Sequence, residues 1–280
     1  MKKMVLGLSL ASVLLGGCSV VGSITGPSES ATLAAETDLD INASYEIYQE
    51  VLEAYVDETG LIDYAALQQN RQPLDEVNNA IAVVSDETYN SWTEGEQIAY
   101  WVNAYNSITL ASIINQDPLK DSIKDIPGVW RITKHPVQSD SKTLDNIEHQ
   151  ELRANFDEPR IHAALVCAAI SCPPLRTEPF TGENLDAQLD DQVEQFLAKE
   201  DGLRIDQAEG VVYLSTIFKW FGEDWIPSYG TDEGFTGSAS ERAVLNFISN
   251  YVSEEEKAYL MAGDYGISYI HYDWSLNIQP

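Results

Sequence analysis

The chain has 280 residues, with 45 Asp or Glu against 16 Lys or Arg, for a formal net charge of −29. That length suffices for a sizeable core in one large domain or two small ones, and the absence of a recurring period argues against a repeat array. So acidic a surface repels nucleic acid and anionic lipid headgroups and favours either plain solubility or a cationic partner.

The amino terminus carries a compartment signal. Lys2 and Lys3 precede an apolar run from Met4 to Leu15, which ends in Leu15-Gly16-Gly17-Cys18. Such a run is too short to span a bilayer, and small residues before a cysteine suit cleavage in front of a lipidated Cys18. Residues 1–17 are therefore expected to be a lipoprotein signal peptide, and residues 18–37, rich in Ser, Thr, Gly and Ala, a lipidated cysteine and flexible tether. Ser19 in place of an aspartate fits sorting to the outer membrane, with palmitate or a similar acyl chain on Cys18 and a periplasm-facing domain. The expected partners are the membrane, through that lipid, and an envelope protein, peptide or glycan.

From Asp38 onward the pattern is mostly helical. Tyr45, Tyr48, Val51, Leu52 and Tyr55 recur at helical spacing up to Gly60. Leu61–Leu67 reads as extended or turn, and Pro73–Val84 as a second helix. Glu94–Asn115 is apolar on nearly every side, which predicts a helix buried all round. It carries Asn103 and Asn106 one turn apart, either as a brace for a loop or as polar groups lining a pocket. Val129–Val137 alternates like a strand, Leu144–Phe156 returns to helix with Glu148 and His149, and Thr181–Lys199 is amphipathic. Leu203–Ile205 and Val211–Tyr213 read as a hairpin, followed by a helix from Thr216 to Phe221 capped by Ser215. A helix at Ser240–Val252 precedes a Ser253/Glu256 capping box, and Ile270–Ile278 alternates like a terminal strand. Helices outnumber short strands, so the fold class expected is α+β, a single helix-rich domain around a small, mostly antiparallel sheet.

Chemistry concentrates between Arg160 and Arg176, RIHAALVCAAISCPPLR. Read as a core strand, this stretch puts His162 and Cys167 on opposite faces, which leaves Cys172 the better thiol nucleophile. Three uses of the cysteines stay open. One is a thiol-dependent hydrolase or transferase using Cys172 or Cys167 with His162 or His149, oriented by Asn103 or Asn106. Another is a disulfide, which requires Ala168–Ser171 to fold back until the Cα atoms are within about 7 Å. The last is plain packing. Glu148, His149 and His162 are the right types for zinc, but without HExxH or CxxC spacing no metal or cofactor is assigned. Arg160 and Arg176 are expected to neutralise carboxylates such as Asp145 or Glu148. His271 and Asp273, two apart, share a face if the end is a strand. The function expected is a binding module with a groove near His162, Asn103 and Asn106, with the thiol enzyme as the alternative.

Several separate pieces carry a family resemblance. They are Tyr100–Asn106 (YWVNAYN), Leu144–His149 (LDNIEH), Arg160–Arg176, Leu214–Trp220 (LSTIFKW) and Tyr272–Asn277 (YDWSLN). In that order they resemble the uncharacterised family catalogued as domain of unknown function 547, over residues 38–280. The resemblance implies a common fold and no established activity.

Overall fold

The computed structural model describes residues 41–280, which fall within one compact unit. The expected signal peptide at 1–17, and the expected lipidated Cys18 and tether at 18–37, lie outside the described residues. Among the described residues no helix is long and apolar enough to cross a membrane.

The fold is organised on the helix Glu94–Ile114, in which every residue from Ile98 to Leu110 is buried. Its start is fixed by a capping box: the Glu96 backbone N–H donates to Thr93 Oγ1, and the Thr93 backbone N–H donates to the Glu96 carboxylate. A helix without a polar face needs neighbours on all sides. They are Tyr64–Gln69, Gln72–Val83, Leu185–Ala198 and the turn at Ile147–Leu152. Two of its hydroxyls are absorbed internally, Thr109 Oγ1 donating to Tyr105 O and Ser112 Oγ to Ile108 O, both at 2.8 Å, while Ser107 Oγ donates to Asn78 Oδ1 and Tyr100 Oη to Ile81 O on the neighbouring helix.

Its two amides reach outward to irregular chain. Asn103 Nδ2 donates to Phe180 O at 2.8 Å while the Phe180 N–H donates to Asn103 Oδ1 at 3.0 Å. Asn106 Nδ2 donates to Ala164 O at 3.0 Å and Asn106 Oδ1 accepts the Val166 N–H at 2.9 Å. Each carboxamide thus satisfies a donor and an acceptor of a buried loop that has no ladder to do so.

The sheets are small and peripheral. His135–Val137 and Asp140–Lys142 form an antiparallel hairpin whose turn residues Gln138 and Ser139 sit at φ 51° and 54°, as a two-residue turn matching strand twist requires. Leu203–Asp206 pairs antiparallel with Val211–Leu214, as the hairpin pattern predicts, and Gly266–Tyr269 pairs parallel on the other side of Val211–Leu214. The domain is therefore the expected helix-rich α+β fold, with one parallel pairing.

Four local expectations are corrected. Leu61–Leu67 is extended only at its start, and Tyr64–Gln69 is a helix capped by Asp63. Val129–Thr133 is a turn, because the N–H groups of Ile132 and Thr133 both donate to Gly128 O. The last strand is Gly266–Tyr269, while residues 270–278 run extended with isolated bridges to Ala169 and Ile62. Alternation there fails at Asn277, which is buried because Tyr64 Oη donates to its Oδ1 at 2.8 Å. Finally, Arg160–Arg176 is not a core strand. Ile161–Ala164 makes one helical turn, and Ala168 turns the chain at φ 60°. The Ile170 and Ser171 N–H groups then donate to Ser275 O and Asp273 O.

Candidate functional site

The segments that replace the expected strands surround a cleft of about 640 Å³. One side is aromatic. Trp274 is stacked on Trp220 with centroids 5.7 Å apart, meets Trp130 edge-on at 5.9 Å and lies 4.6 Å from Tyr272. Lys124 Nζ sits 5.0 Å from the centre of the Trp274 ring. Glu148, His149 and His162 also line the cleft, and both cysteines contribute to the wall.

Cys167 and Cys172 are bonded to each other, with S–S 2.13 Å and Cα atoms 6.1 Å apart. Of the three uses left open by the residues, the structure shows the disulfide, made possible by the left-handed Ala168. Strand parity is irrelevant to where His162 points, because the segment is not a strand.

His162 is buried and stacked on Phe221 at a centroid distance of 4.3 Å. Its Nε2 lies 2.8 Å from Asp224 Oδ2. Burial lowers its pKa, and this outweighs the opposing pull of Asp224, so the neutral ring donates from Nε2 to the carboxylate. Asp224 is also gripped by Arg153, Nε to Oδ2 at 2.6 Å and Nη2 to Oδ1 at 2.8 Å. Burial opposes ionisation of Asp224, but the hydrogen bonds from Arg153 and His162 hold it well below the usual carboxylate range. Arg153 Nη1 lies 2.7 Å from His149 Nδ1. A guanidinium only donates, so Nδ1 accepts and the His149 proton sits on Nε2, 3.6 Å from Asp145 Oδ1. Desolvation, then the Arg153 charge, lowers the His149 pKa.

Glu148 has the opposite character. Its burial raises the carboxyl pKa to about 7, against the opposing pull of Arg153 and a hydrogen bond with Tyr105. One side of the cleft thus carries a carboxyl that titrates near neutrality next to imidazoles held neutral.

The other sequence candidates fall elsewhere. Asn103 and Asn106 bond loop backbone and are not among the residues lining the cleft. Arg160 meets Glu158, Asp186 and Asp190, and Arg176 meets Glu178 and Asp191. Asp145 instead pairs with Arg131, and the cation acting on Glu148 is Arg153. His271 is exposed outside any strand, and His135 lies on the first hairpin. Among the described residues no group of three or more His, Cys, Asp and Glu is placed to hold a metal ion. Sequence reasoning missed Arg153, Asp224, Tyr105 and the aromatic wall as site residues. The Leu-Ser-Thr-Ile-Phe-Lys-Trp and Tyr-Asp-Trp pieces did mark two edges of that wall.

The raised Glu148 pKa is a statement about stability. In the unfolded chain the carboxyl ionises near 4.5, and in the folded chain at about 7. The stabilisation is fully present below about pH 4.5 and is lost as the pH rises through 7, to the extent of about 3 kcal/mol. Glu148→Gln, a neutral near-isostere, should therefore match the parent chain in urea unfolding at pH 4.5 and exceed it at pH 8. Equal stability of the two chains at pH 8 would contradict the burial argument.

Residues 89–197 match the family model described as "Protein of unknown function, DUF547". No curated protein and no solved structure matches the chain. The matched segment holds the central helix, Glu148, His149, His162 and both cysteines, so much of the cleft lies within the segment that matches that family model.

Proposed function

We propose that this protein is a lipid-anchored binding module of the cell envelope, and that its aromatic cleft holds a peptide segment of another envelope protein. The observation that carries this reading is the continuous wall of Trp130, Trp220, Tyr272 and Trp274 on an open cleft, with Trp220 still 46% exposed. Large rings held against one another offer contact area at little entropic cost, and aromatic-lined grooves with a few polar groups are a recurring way to bind extended peptides. The net charge of −29 on the chain favours a segment that brings basic residues. The anchoring part of the reading rests on the sequence Leu15-Gly16-Gly17-Cys18 with its apolar leader, and Ser19 favours the outer membrane.

The alternative, a thiol-dependent hydrolase or transferase, needs a free thiolate beside an imidazole. Here both sulfurs are joined and His162 Nε2 is committed to Asp224. The binding reading requires neither group to change state.

Two experiments test it. Peptides selected from a randomised library should quench tryptophan fluorescence on binding, and Trp274→Ala should weaken the best of them by roughly ten- to a hundredfold. Peptide affinity unchanged in that variant, or binding of oligosaccharides alone, would overturn the peptide assignment. Cys18→Ser should shift the protein from the membrane fraction to the soluble fraction and abolish incorporation of labelled palmitate. A variant that stays membrane-bound would refute the anchor.

A further inference from the structure

The two sulfurs in the cleft wall are not equivalent. Cys167 is only partly buried, whereas Cys172 is 1% exposed. Cys172 Sγ accepts the Cys167 backbone N–H at 2.9 Å. The Tyr272 hydroxyl lies 3.2 Å from Cys172 Sγ and 3.2 Å from Cys167 Sγ. Burial raises the Tyr272 pKa, so this hydroxyl keeps its proton and remains a donor. Lys199 Nζ donates to Ile170 O at 2.7 Å and to Cys172 O at 2.6 Å, which holds the loop between the cysteines and brings an ammonium to it. The backbone donor thus falls on the sulfur of the buried Cys172, the Tyr272 hydroxyl reaches both sulfurs alike, and Cys167 is the more open residue.

We infer that Cys167–Cys172 is an exchangeable disulfide that reacts with a cysteine thiol of a polypeptide in the cleft, Cys167 being the sulfur attacked and Cys172 the leaving group. The incoming thiol loses its proton to solvent, and its thiolate forms a new bond to Cys167 Sγ. The S–S bond breaks and its electron pair passes to Cys172 Sγ as a thiolate, leaving a mixed disulfide on Cys167. Exchange is faster the better the leaving thiolate is stabilised, and the Cys167 N–H and Tyr272 hydroxyl are already placed to stabilise it. A second thiol on the same polypeptide then attacks the sulfur bonded to Cys167. That releases the polypeptide as a disulfide and leaves both cysteines of this chain reduced, so two thiols are oxidised for one disulfide reduced. No imidazole takes part, since His162 Nε2 is held by Asp224.

The inference rests on the binding reading for the polypeptide that brings the thiol, but the two fail separately. Peptide quenching can persist with an inert bridge, and exchange can be read without any selected peptide. The full chain, kept native in mild detergent, is incubated with reduced and oxidised glutathione, quenched with acid and weighed intact. One glutathione should appear without denaturant and map to Cys167, and Tyr272→Phe should slow its appearance about fivefold with an unchanged thermal melt. Cys172→Ser with oxidised glutathione should accumulate the adduct on Cys167. The unmodified chain and Tyr272→Phe carry the test if the serine variant does not fold. A bridge that reacts only in denaturant, an adduct on Cys172, or an unchanged rate in Tyr272→Phe would overturn the assignment.

Discussion

Two carboxamides on one buried helix hold the part of this molecule that has no regular structure of its own. Asn103 fixes Phe180 and Asn106 fixes Ala164 and Val166, each through a donor and an acceptor. A buried backbone group left unpaired costs on the order of 1 to 3 kcal/mol, so the chain between these points is not free to settle elsewhere. It leaves the central helix at Ala164, turns at Ala168, is closed by the disulfide and returns at Phe180. The residues 273–277 then bond along it. That arrangement brings Tyr272 and Trp274 into the same cleft as Glu148 and His162. The amides do not line the cleft, yet its wall hangs from them.

Electrostatics within the cleft follow from how few cations an acidic chain has to spend. Arg153 is shared by Asp224 and His149, and through Asp224 it also fixes His162. With that guanidinium committed, the cation nearest in effect to Glu148 does not offset its burial. The outcome is a pair of neutral imidazoles beside a carboxyl that titrates near neutrality. Arg160 and Arg176 are tied up in the same manner, by Asp186, Asp190 and Asp191 on the helix Leu185–Ala198 and by Glu158 and Glu178 outside it.

The sequence is legible wherever the physics is local. The all-apolar period of Glu94–Ile114, the capping box at Ser253, the Ser215 cap and the hairpin Leu203–Leu214 are set by neighbours within a few residues. Apolar patterning was misleading in Val129–Thr133, Arg160–Arg176 and Ile270–Ile278. There the backbone groups are paired by turns, an asparagine side chain and one another's carbonyls rather than by a ladder, and alternation carries no record of that. Glu148, His149, His162 and the two cysteines stood out as unusual residue types. Arg153 and Asp224, 71 residues apart, did not, because only the fold makes them partners. The disulfide was one of three open uses until the left-handed Ala168 brought its ends together.

The central claim, that the amides of the buried helix hold the cleft wall in place, is open to native-state hydrogen exchange on the parent chain and on Asn106→Ala. The account expects the amides of Val166, Ile170 and Ser171 to exchange at least about tenfold faster in the variant, corresponding to about 1.4 kcal/mol or more of lost local protection, while Ile98–Leu110 changes far less. Unchanged protection at those three amides, or an equal acceleration throughout the domain, would contradict it.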